Sequence, residues 1–269
     1  MKDEPRNRPG TVDMNSVPSF MHELQPLSMV YGGGGIFGIG YCVGVAHGLK
    51  AGGVPVSTAP ALGTSAGSWA ASAMALGCPP EHILGLEAPP IPNRKTNVLA
   101  DIARELFGEA THPLVTVSAV TVRTRRRHIL DGGRYPLADL VAASSAVPGL
   151  LPPHRIDGRL YVDGGMWSAT SIDSAANSKS VIVVAPLAGP HMGPIGRGAG
   201  YLLGRELHGW HTRHRGRHIS LIRPSRAIAK IAGVNPMNLF DAERGREVFP
   251  LAYEQGLKMA AEMREHVPA

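Results

Sequence analysis

The sequence is poor in cysteine and in aromatic residues, and each shortage excludes a class of protein. Only Cys42 and Cys78 occur among 269 residues, and they form no C-x-x-C pair. A disulfide-stapled secreted fold or a cysteine-ligated metal site is therefore not expected. Aromatic residues make up 5% of the chain and do not interleave with its arginines, so the base-stacking part of a nucleic-acid site is missing. We expect two buried thiols and no nucleic-acid partner.

Charge is nearly absent from one long stretch. Between Gln25 and Pro80 the only charged residue is Lys50. Residues 27–49 are apolar enough to suggest a membrane span, but four consecutive glycines, at positions 32–35, interrupt them. Each of these would cost a helix interior about 1 kcal/mol. The chain is therefore predicted to have no transmembrane segment.

The first 27 residues lack the apolar segment of a secretory signal; they are polar and of mixed charge. We predict a flexible N-terminal arm over residues 1–27, followed by one domain over 28–269. The predicted location is cytoplasmic, with at most peripheral contact with a membrane.

The order of strand-like and helix-like segments predicts the fold class. Uncharged strands, such as 27–31 and 58–62, are followed by helical segments, such as 66–76 and 137–145. This order is typical of a parallel sheet that is covered on both faces. We predict an α/β protein with a mostly parallel central sheet and a terminal helix over about 238–265.

The formal net charge is +6, and much of the positive excess lies in two arginine clusters. Basic clusters attract nucleic acid, anionic membranes and acidic partners alike. Because stacking aromatics are missing, we interpret the clusters as solvated surface, with anionic lipid headgroups as the alternative. The first cluster comprises Arg123, Arg125, Arg126 and Arg127, and the second Arg205, Arg213, Arg215 and Arg217.

A serine turn is the first candidate for catalysis. Residues 63–67, GTSAG, match the pattern G-x-S-x-G between a predicted strand and a predicted helix, which is the context of a nucleophile elbow. Such a sharp turn exposes the Oγ of Ser65, and the helix N-terminus behind it offers N–H groups to a developing oxyanion. The alternative is a plain turn in which Ser65 caps the helix.

A glycine loop follows the first strand. Gly33, Gly35 and Gly38 fit the dinucleotide pattern G-x-G-x-x-G, which requires an acidic residue about 20 positions later. No acidic residue occurs between Glu23 and Glu81, so the loop is more consistent with an oxyanion hole. We expect no cofactor and no metal.

A nucleophilic serine needs a base, and the sequence offers two kinds. Asp163 stands at the end of a predicted strand, before Gly164 and Gly165. Six histidines follow it and leave a Ser-Asp-His order open, as in the α/β-hydrolases. Only one strand–helix unit precedes Ser65, however, and most of these histidines lie among arginines. They are His191, His208, His211, His214, His218 and His266.

Four motifs in this order resemble those of the patatin-like phospholipases. They are GGGIFG at 33–38, GTSAG at 63–67, ASSAVPGLLPP at 143–153 and DGRLYVDGG at 157–165. The resemblance extends from about residue 28 to the C-terminus. One position departs from it, because Phe37 stands where the family usually has Arg or Lys.

The resemblance implies a three-layer α/β/α fold and a serine–aspartate dyad without histidine. Ser65 would be the nucleophile and Asp163 the base. The N–H groups of Gly33, Gly34 and Gly35 would form the oxyanion hole. Substrates would be acyl esters of phospholipids or related lipids. The arginine clusters add the expectation of peripheral contact with an anionic membrane surface. A catalytically silent lipid-binding protein is the alternative.

Overall fold

The structure is a computed structural model that describes residues 23–263. Of the predicted N-terminal arm, residues 1–22 lie outside the described residues, as does His266. Residues 25–27, the end of the predicted arm, belong to the first strand.

The described residues form one sheet of eight strands. Five of them, in the order β3-β2-β1-β7-β8, are parallel to one another, whereas β4, β5 and β6 join antiparallel at the β3 side. The prediction of a mostly parallel sheet is confirmed. The strands are β1 (Gln25–Tyr31), β2 (Ala61–Thr64), β3 (Val115–Thr121), β4 (Arg127–Asp131), β5 (His154–Ile156), β6 (Arg159–Asp163), β7 (Ser178–Val184) and β8 (His218–Ile222).

Helices connect the strands, as the alternating sequence pattern predicts. Short 3-10 turns add to them at Gly164–Met166, Ile172–Ser174 and Pro236–Phe240. The helices are α1 (Gly35–Ala51), α2 (Ala66–Ala75), α3 (Pro80–Leu84), α4 (Val98–Phe107), α5 (Leu137–Ser145), α6 (Gly193–Arg213), α7 (Arg226–Ala232) and α8 (Ala242–Met263).

Two apolar cores lie on opposite faces of the sheet. Successive strand side chains point to opposite faces, so Met29 and Tyr31 of β1 pack with α1, α2, α5 and α8, whereas Val30 points to the other side. There it meets a smaller core that includes Leu203 and Trp210 of α6. The layers are therefore helix, sheet and helix, which confirms the predicted three-layer fold class.

Helices α1 and α8 pack with unusually close backbones because glycines line their contact. A Cβ on Gly40 would lie 1.9 Å from the carbonyl oxygen of Gly245, and one on Gly256 would lie 2.2 Å from that of Val45. Only hydrogen fits at these positions. The glycines spaced four residues apart in α1 thus serve helix packing against α8.

Some predicted boundaries differ from the structure. The second strand begins at Ala61 rather than at residue 58, because Thr58 and Ala59 form a turn that folds back on the Pro55 carbonyl. The terminal helix begins at Ala242, after the 3-10 turn at Pro236–Phe240. None of the helices in residues 23–263 is both long and apolar enough to cross a membrane.

We expect Gly256→Ala to destabilise the protein, although alanine is the better helix former. Its new methyl group would overlap the Val45 carbonyl, and overpacking of this kind costs about 1–3 kcal/mol. Gly204→Ala, in α6, is the matched control because no atom lies within 4 Å of its added Cβ. It should stabilise by up to about 1 kcal/mol. Urea unfolding measures both, and equal stabilisation by the two variants would contradict the close α1–α8 contact.

Candidate active site

Ser65 occupies a strained turn between β2 and α2. Its backbone has φ 51° and ψ −121°, a conformation that is rare outside glycine and that the surrounding structure must enforce. The flanking glycines allow it. A Cβ on Gly67 would lie 1.9 Å from the Tyr31 carbonyl oxygen, and one on Gly63 would lie 2.4 Å from Ser68 Cα. The turn therefore requires both glycines of the GTSAG motif.

The register of β3 brings Asp163 to the same place. Strand β2 ends with Thr64 opposite Ser118, and β6 ends with Asp163 opposite Ala119, the next residue of β3. Strand β4 pairs with Thr116–Val120 and so occupies the other edge of β3. Strands β2 and β6 consequently meet end to end along one edge, which places residue 65 beside Asp163.

The two side chains are hydrogen-bonded. The Oγ of Ser65 donates to Oδ2 of Asp163 over 2.7 Å. The second carboxylate oxygen, Oδ1, accepts the N–H of Gly165 over 2.6 Å, so both oxygens of Asp163 are held. Ser65 is 8% exposed and Asp163 5%, so little water competes for this contact.

Burial changes the acidity of Asp163. Loss of hydration disfavours the carboxylate and raises the pKa of Asp163 to about 6, although its hydrogen bonds with Ser65 and Gly165 lower the pKa in part. A base with a pKa of about 6 accepts a proton from an alcohol more readily than an ordinary aspartate, and most of it is still ionised at pH 7.

Ser144 holds the backbone of the serine turn. Its Oγ accepts the N–H of Ser65 over 2.8 Å and donates to the Ser118 carbonyl oxygen over 2.7 Å. The N–H of Ser65 therefore has a partner despite its burial, and the strained turn is tied to β3. In the sequence, Ser144 stands out only as part of the ASSAVPGLLPP motif, which predicts no role for it.

The glycine loop adjoins the serine, but its N–H groups are not equivalent. A Cβ on Gly33 would lie 3.3 Å from Cβ of Ser65, yet the N–H of Gly33 donates to the Ala169 carbonyl oxygen over 2.8 Å. Within residues 23–263 no acceptor takes the N–H of Gly34 or of Gly35, which open helix α1. These two groups are free to meet a ligand oxygen.

Ser65 opens into an apolar cleft of about 850 Å³, counting its mouth. Gly35 of the glycine loop lines the same cleft as Ser65. A long hydrocarbon group fits such a lining, whereas a strongly charged group does not. Among the described residues that form the wall, the side chains are mostly aliphatic or aromatic: Ile36, Ile39, Trp69, Ile83, Leu84, Leu86, Ile91, Leu99, Ile102, Val147, Leu151 and Phe240.

No histidine of the described part hydrogen-bonds with Ser65 or Asp163. His208, His211 and His214 lie on α6 or directly after it, and α6 packs on the sheet face opposite to α2. The buried His154 instead contacts Asp139 over 3.0 Å. The geometry favours Asp163 over these histidines as the partner of Ser65.

A family model for patatin-like phospholipases matches residues 86–176. The matched segment contains the ASSAVPGLLPP and DGRLYVDGG motifs, in the order that the resemblance requires. Over these 91 of its 269 residues, the chain is similar to the patatin-like phospholipases. The recognition made from the four motifs is thereby confirmed, and lipid hydrolysis is the activity class of the family.

Curated relatives of this patatin-like protein are similar over a shorter stretch. Uncharacterised NTE-family proteins of Mycobacterium tuberculosis H37Rv and Mycobacterium bovis are 37% identical over 62 residues, which is 23% of this chain and 17% of theirs. The chain thus matches only about a sixth of the length of these relatives. VipD from Legionella pneumophila is a similar solved structure, with a TM-score of 0.48 and 12% identity over 97% of this chain and 72% of VipD.

Phe37, the departure from the family pattern, is fully buried and stacks on Tyr41 within α1 at 6.4 Å between ring centroids. The side chain at this position therefore belongs to the core between α1 and the sheet. It adds no cation to the glycine loop of this patatin-like protein.

We expect Asp163→Asn to stabilise the protein at neutral pH. A carboxyl group with a pKa of about 6 in the folded state and 3.8 in the unfolded state binds more protons when folded. Wild-type stability therefore falls as pH rises from about 4 to 6, by on the order of 1–3 kcal/mol, and the asparagine variant lacks this loss. The unfolding free energy of Asp163→Asn should exceed that of the wild type most above pH 7, and the two should be equal near pH 4.

The control for this measurement is Glu105→Gln, which neutralises an exposed carboxylate of α4. It should change stability by less than about 0.5 kcal/mol across the same range. A pH-independent destabilisation by Asp163→Asn would contradict the desolvation of Asp163.

Proposed function

We propose that this patatin-like protein hydrolyses carboxylic esters of phospholipids or related lipids through a Ser65–Asp163 dyad. The observation that carries the proposal is the 2.7 Å hydrogen bond from Ser65 Oγ to Asp163 Oδ2 in a buried site. The apolar cleft beside Ser65 supplies a place for an acyl chain.

In the proposed first step, Ser65 Oγ attacks the ester carbonyl carbon while its proton passes to Asp163 Oδ2. The hydrogen bond already places the donor, Ser65 Oγ, beside the acceptor, Asp163 Oδ2, so neither group has to move before the proton is transferred. Collapse of the tetrahedral intermediate expels the alcohol, which takes the proton from Asp163, and leaves an acyl-enzyme.

The oxyanion of this intermediate needs donors. We assign this role to the free N–H groups of Gly34 and Gly35, supported by the N-terminal end of the α1 dipole. Gly33 was predicted as a third donor; because its N–H bonds with Ala169, we propose that it anchors the loop beside Ser65.

In the second step, water enters the position that the alcohol has left, and Asp163 removes its proton. Attack on the acyl carbon then breaks its bond to Ser65 Oγ, which takes the proton back from Asp163 as the fatty acid is released. The same carboxylate thus serves both steps, first for the serine and then for water.

We further propose that the protein meets its substrate at a membrane surface without spanning the membrane. Long-chain esters reside in bilayers rather than in water. The apolar lining of the cleft suits the transfer of one acyl chain from such a surface to Ser65.

Ser65→Ala should abolish turnover of p-nitrophenyl butyrate, and Asp163→Asn should lower kcat by at least about 100-fold, since acid–base groups contribute about 10²–10⁴. Melting temperatures report whether the variants are folded. His218→Ala is the control for a histidine base and should keep full activity. Full activity of Ser65→Ala would remove the dyad, and inactivity on both ester and lipid in a folded wild type would favour a silent lipid-binding protein.

The pH dependence of kcat/KM should show one acidic limb near pH 6. Asp163 accepts a proton only as the carboxylate, and burial raises the pKa of Asp163 to about 6. Activity should therefore fall about tenfold per pH unit below this value and reach a plateau above pH 7. A limb near pH 4 would show that Asp163 is solvated. If His208→Ala and His218→Ala keep the acidic limb of kcat/KM near pH 6, neither histidine is the group whose titration produces it.

A further inference from the structure

One end of the sheet leaves an apolar face uncovered beside the β3–β4 hairpin. In the antiparallel registers, Val120 of β3 is opposite Arg127 of β4 and Val162 of β6, and side chains of directly opposed residues share a face. The same register continues one step further, where the N–H of Val122 bonds with the Leu160 carbonyl oxygen. Val122 and Leu160 therefore extend this face toward the hairpin tip.

A tryptophan borders the same face. The Trp167 ring lies under the guanidinium of Arg127, 5.7 Å from Cζ to the ring centroid. Val122 is 42% exposed, Leu160 36% and Trp167 38%, and none of the three belongs to the apolar core that α6 joins on this side of the sheet. We call the set of Val122, Leu160 and Trp167, with the hairpin tip 123–126, the hairpin face.

The hairpin tip adds positive charge that the described residues do not neutralise. Arg123, Arg125 and Arg126 are exposed and form no ion pair in this part of the chain. Two acidic groups close to Arg127 are already engaged: Asp173 binds Arg127 through two hydrogen bonds of 2.7 and 2.6 Å, and Glu206 accepts a hydrogen bond from Thr170 Oγ1 over 3.1 Å.

We propose that the hairpin face docks the protein on an anionic lipid bilayer, with Arg123, Arg125 and Arg126 on the phosphate groups and Trp167, Val122 and Leu160 at the acyl boundary. Cations next to exposed apolar side chains match a surface whose charge is negative outside and whose interior is apolar. Tryptophan in particular favours this interfacial layer.

A nucleic acid would satisfy only half of these features. Its phosphates would pair with the arginines and one base could stack on Trp167, but the exposed aliphatic side chains of Val122 and Leu160 would find no partner in it. The bilayer accounts for the charge and for the apolar side chains together.

The position of the hairpin face fits the proposed function, on which this part of the inference rests. Asp163 and Leu160 are three residues apart on β6, a separation of about 10 Å along a strand. Docking through Leu160 would bring the bilayer surface to within about 10 Å of Asp163.

The three tryptophans make the test direct. Trp69 and Trp210 are buried, so Trp167 is the one exposed tryptophan, and excitation at about 295 nm avoids the tyrosines. We would titrate the Ser65→Ala protein (residues 1–269), which avoids hydrolysis, with vesicles of phosphatidylcholine containing about 30% phosphatidylglycerol. Trp167 emission should shift to shorter wavelength and be quenched by brominated phosphatidylcholine. Pure phosphatidylcholine should bind weakly, and 0.5 M NaCl should weaken the anionic binding.

Replacing the three tip arginines by glutamine, R123Q/R125Q/R126Q, should weaken vesicle binding at least tenfold, since each basic residue contributes a factor of about five near an anionic surface. The matched control, R205Q/R213Q/R215Q, removes the same charge from the second cluster and should weaken binding less than threefold. With Ser65 restored, the tip variant should keep wild-type turnover of p-nitrophenyl butyrate and lose turnover of vesicle lipid.

Equal losses in the two triple variants would overturn the inference, because they would show attraction by net charge alone. Unshifted Trp167 emission on bound vesicles would overturn it as well. Tighter binding of a DNA duplex than of the anionic vesicles would indicate a nucleic-acid surface instead. Normal docking together with a fully active Ser65→Ala enzyme would remove the proposed dyad and leave the docking surface standing.

Discussion

The structure depends on one junction, at which two strands share a single edge of β3. Strand β2 ends beside Ser118 and β6 ends beside Ala119, and this register alone brings together two residues that are 98 positions apart. The hydrogen bond between Ser65 and Asp163 is a consequence of sheet pairing rather than of a mobile loop. A site that is built on strand ends is held with the precision that proton transfer needs.

Holding this junction has energetic costs that neighbouring residues offset. Ser65 adopts a strained backbone conformation and Asp163 is desolvated. Ser144 satisfies the buried N–H of the turn, Gly165 binds the second carboxylate oxygen, and the glycines of the turn permit contact distances that no other residue allows. Stability is thus lower at the site than an apolar core would give, which is the usual relation between a reactive site and its scaffold.

Much of this arrangement could be predicted from the sequence, because local patterns determine it. The GTSAG motif between a strand and a helix predicts the turn at Ser65, and the uncharged strands predict the parallel sheet, which the structure confirms. Two hydrogen bonds could not be predicted: the one from the Gly33 N–H to Ala169 and the one from the Ser65 N–H to Ser144. Both join segments that are distant in sequence. The 3-10 turn before α8 could not be predicted for a similar reason. Its residues have helical character, but they form a 3-10 turn in which Leu239 lies against Gly35.

The central claim is that Ser65 is the nucleophile, with Asp163 as its base and an oxyanion site at Gly34 and Gly35. The most direct test is a crystal structure of the protein after reaction with a fluorophosphonate, alongside mass spectrometry of wild type and Ser65→Ala. We predict one adduct, on Ser65 Oγ, with the phosphonyl oxygen about 2.7–3.1 Å from the N–H groups of Gly34 and Gly35. An adduct on another residue, unchanged labelling of Ser65→Ala, or a phosphonyl oxygen that points away from the glycine loop would contradict the account.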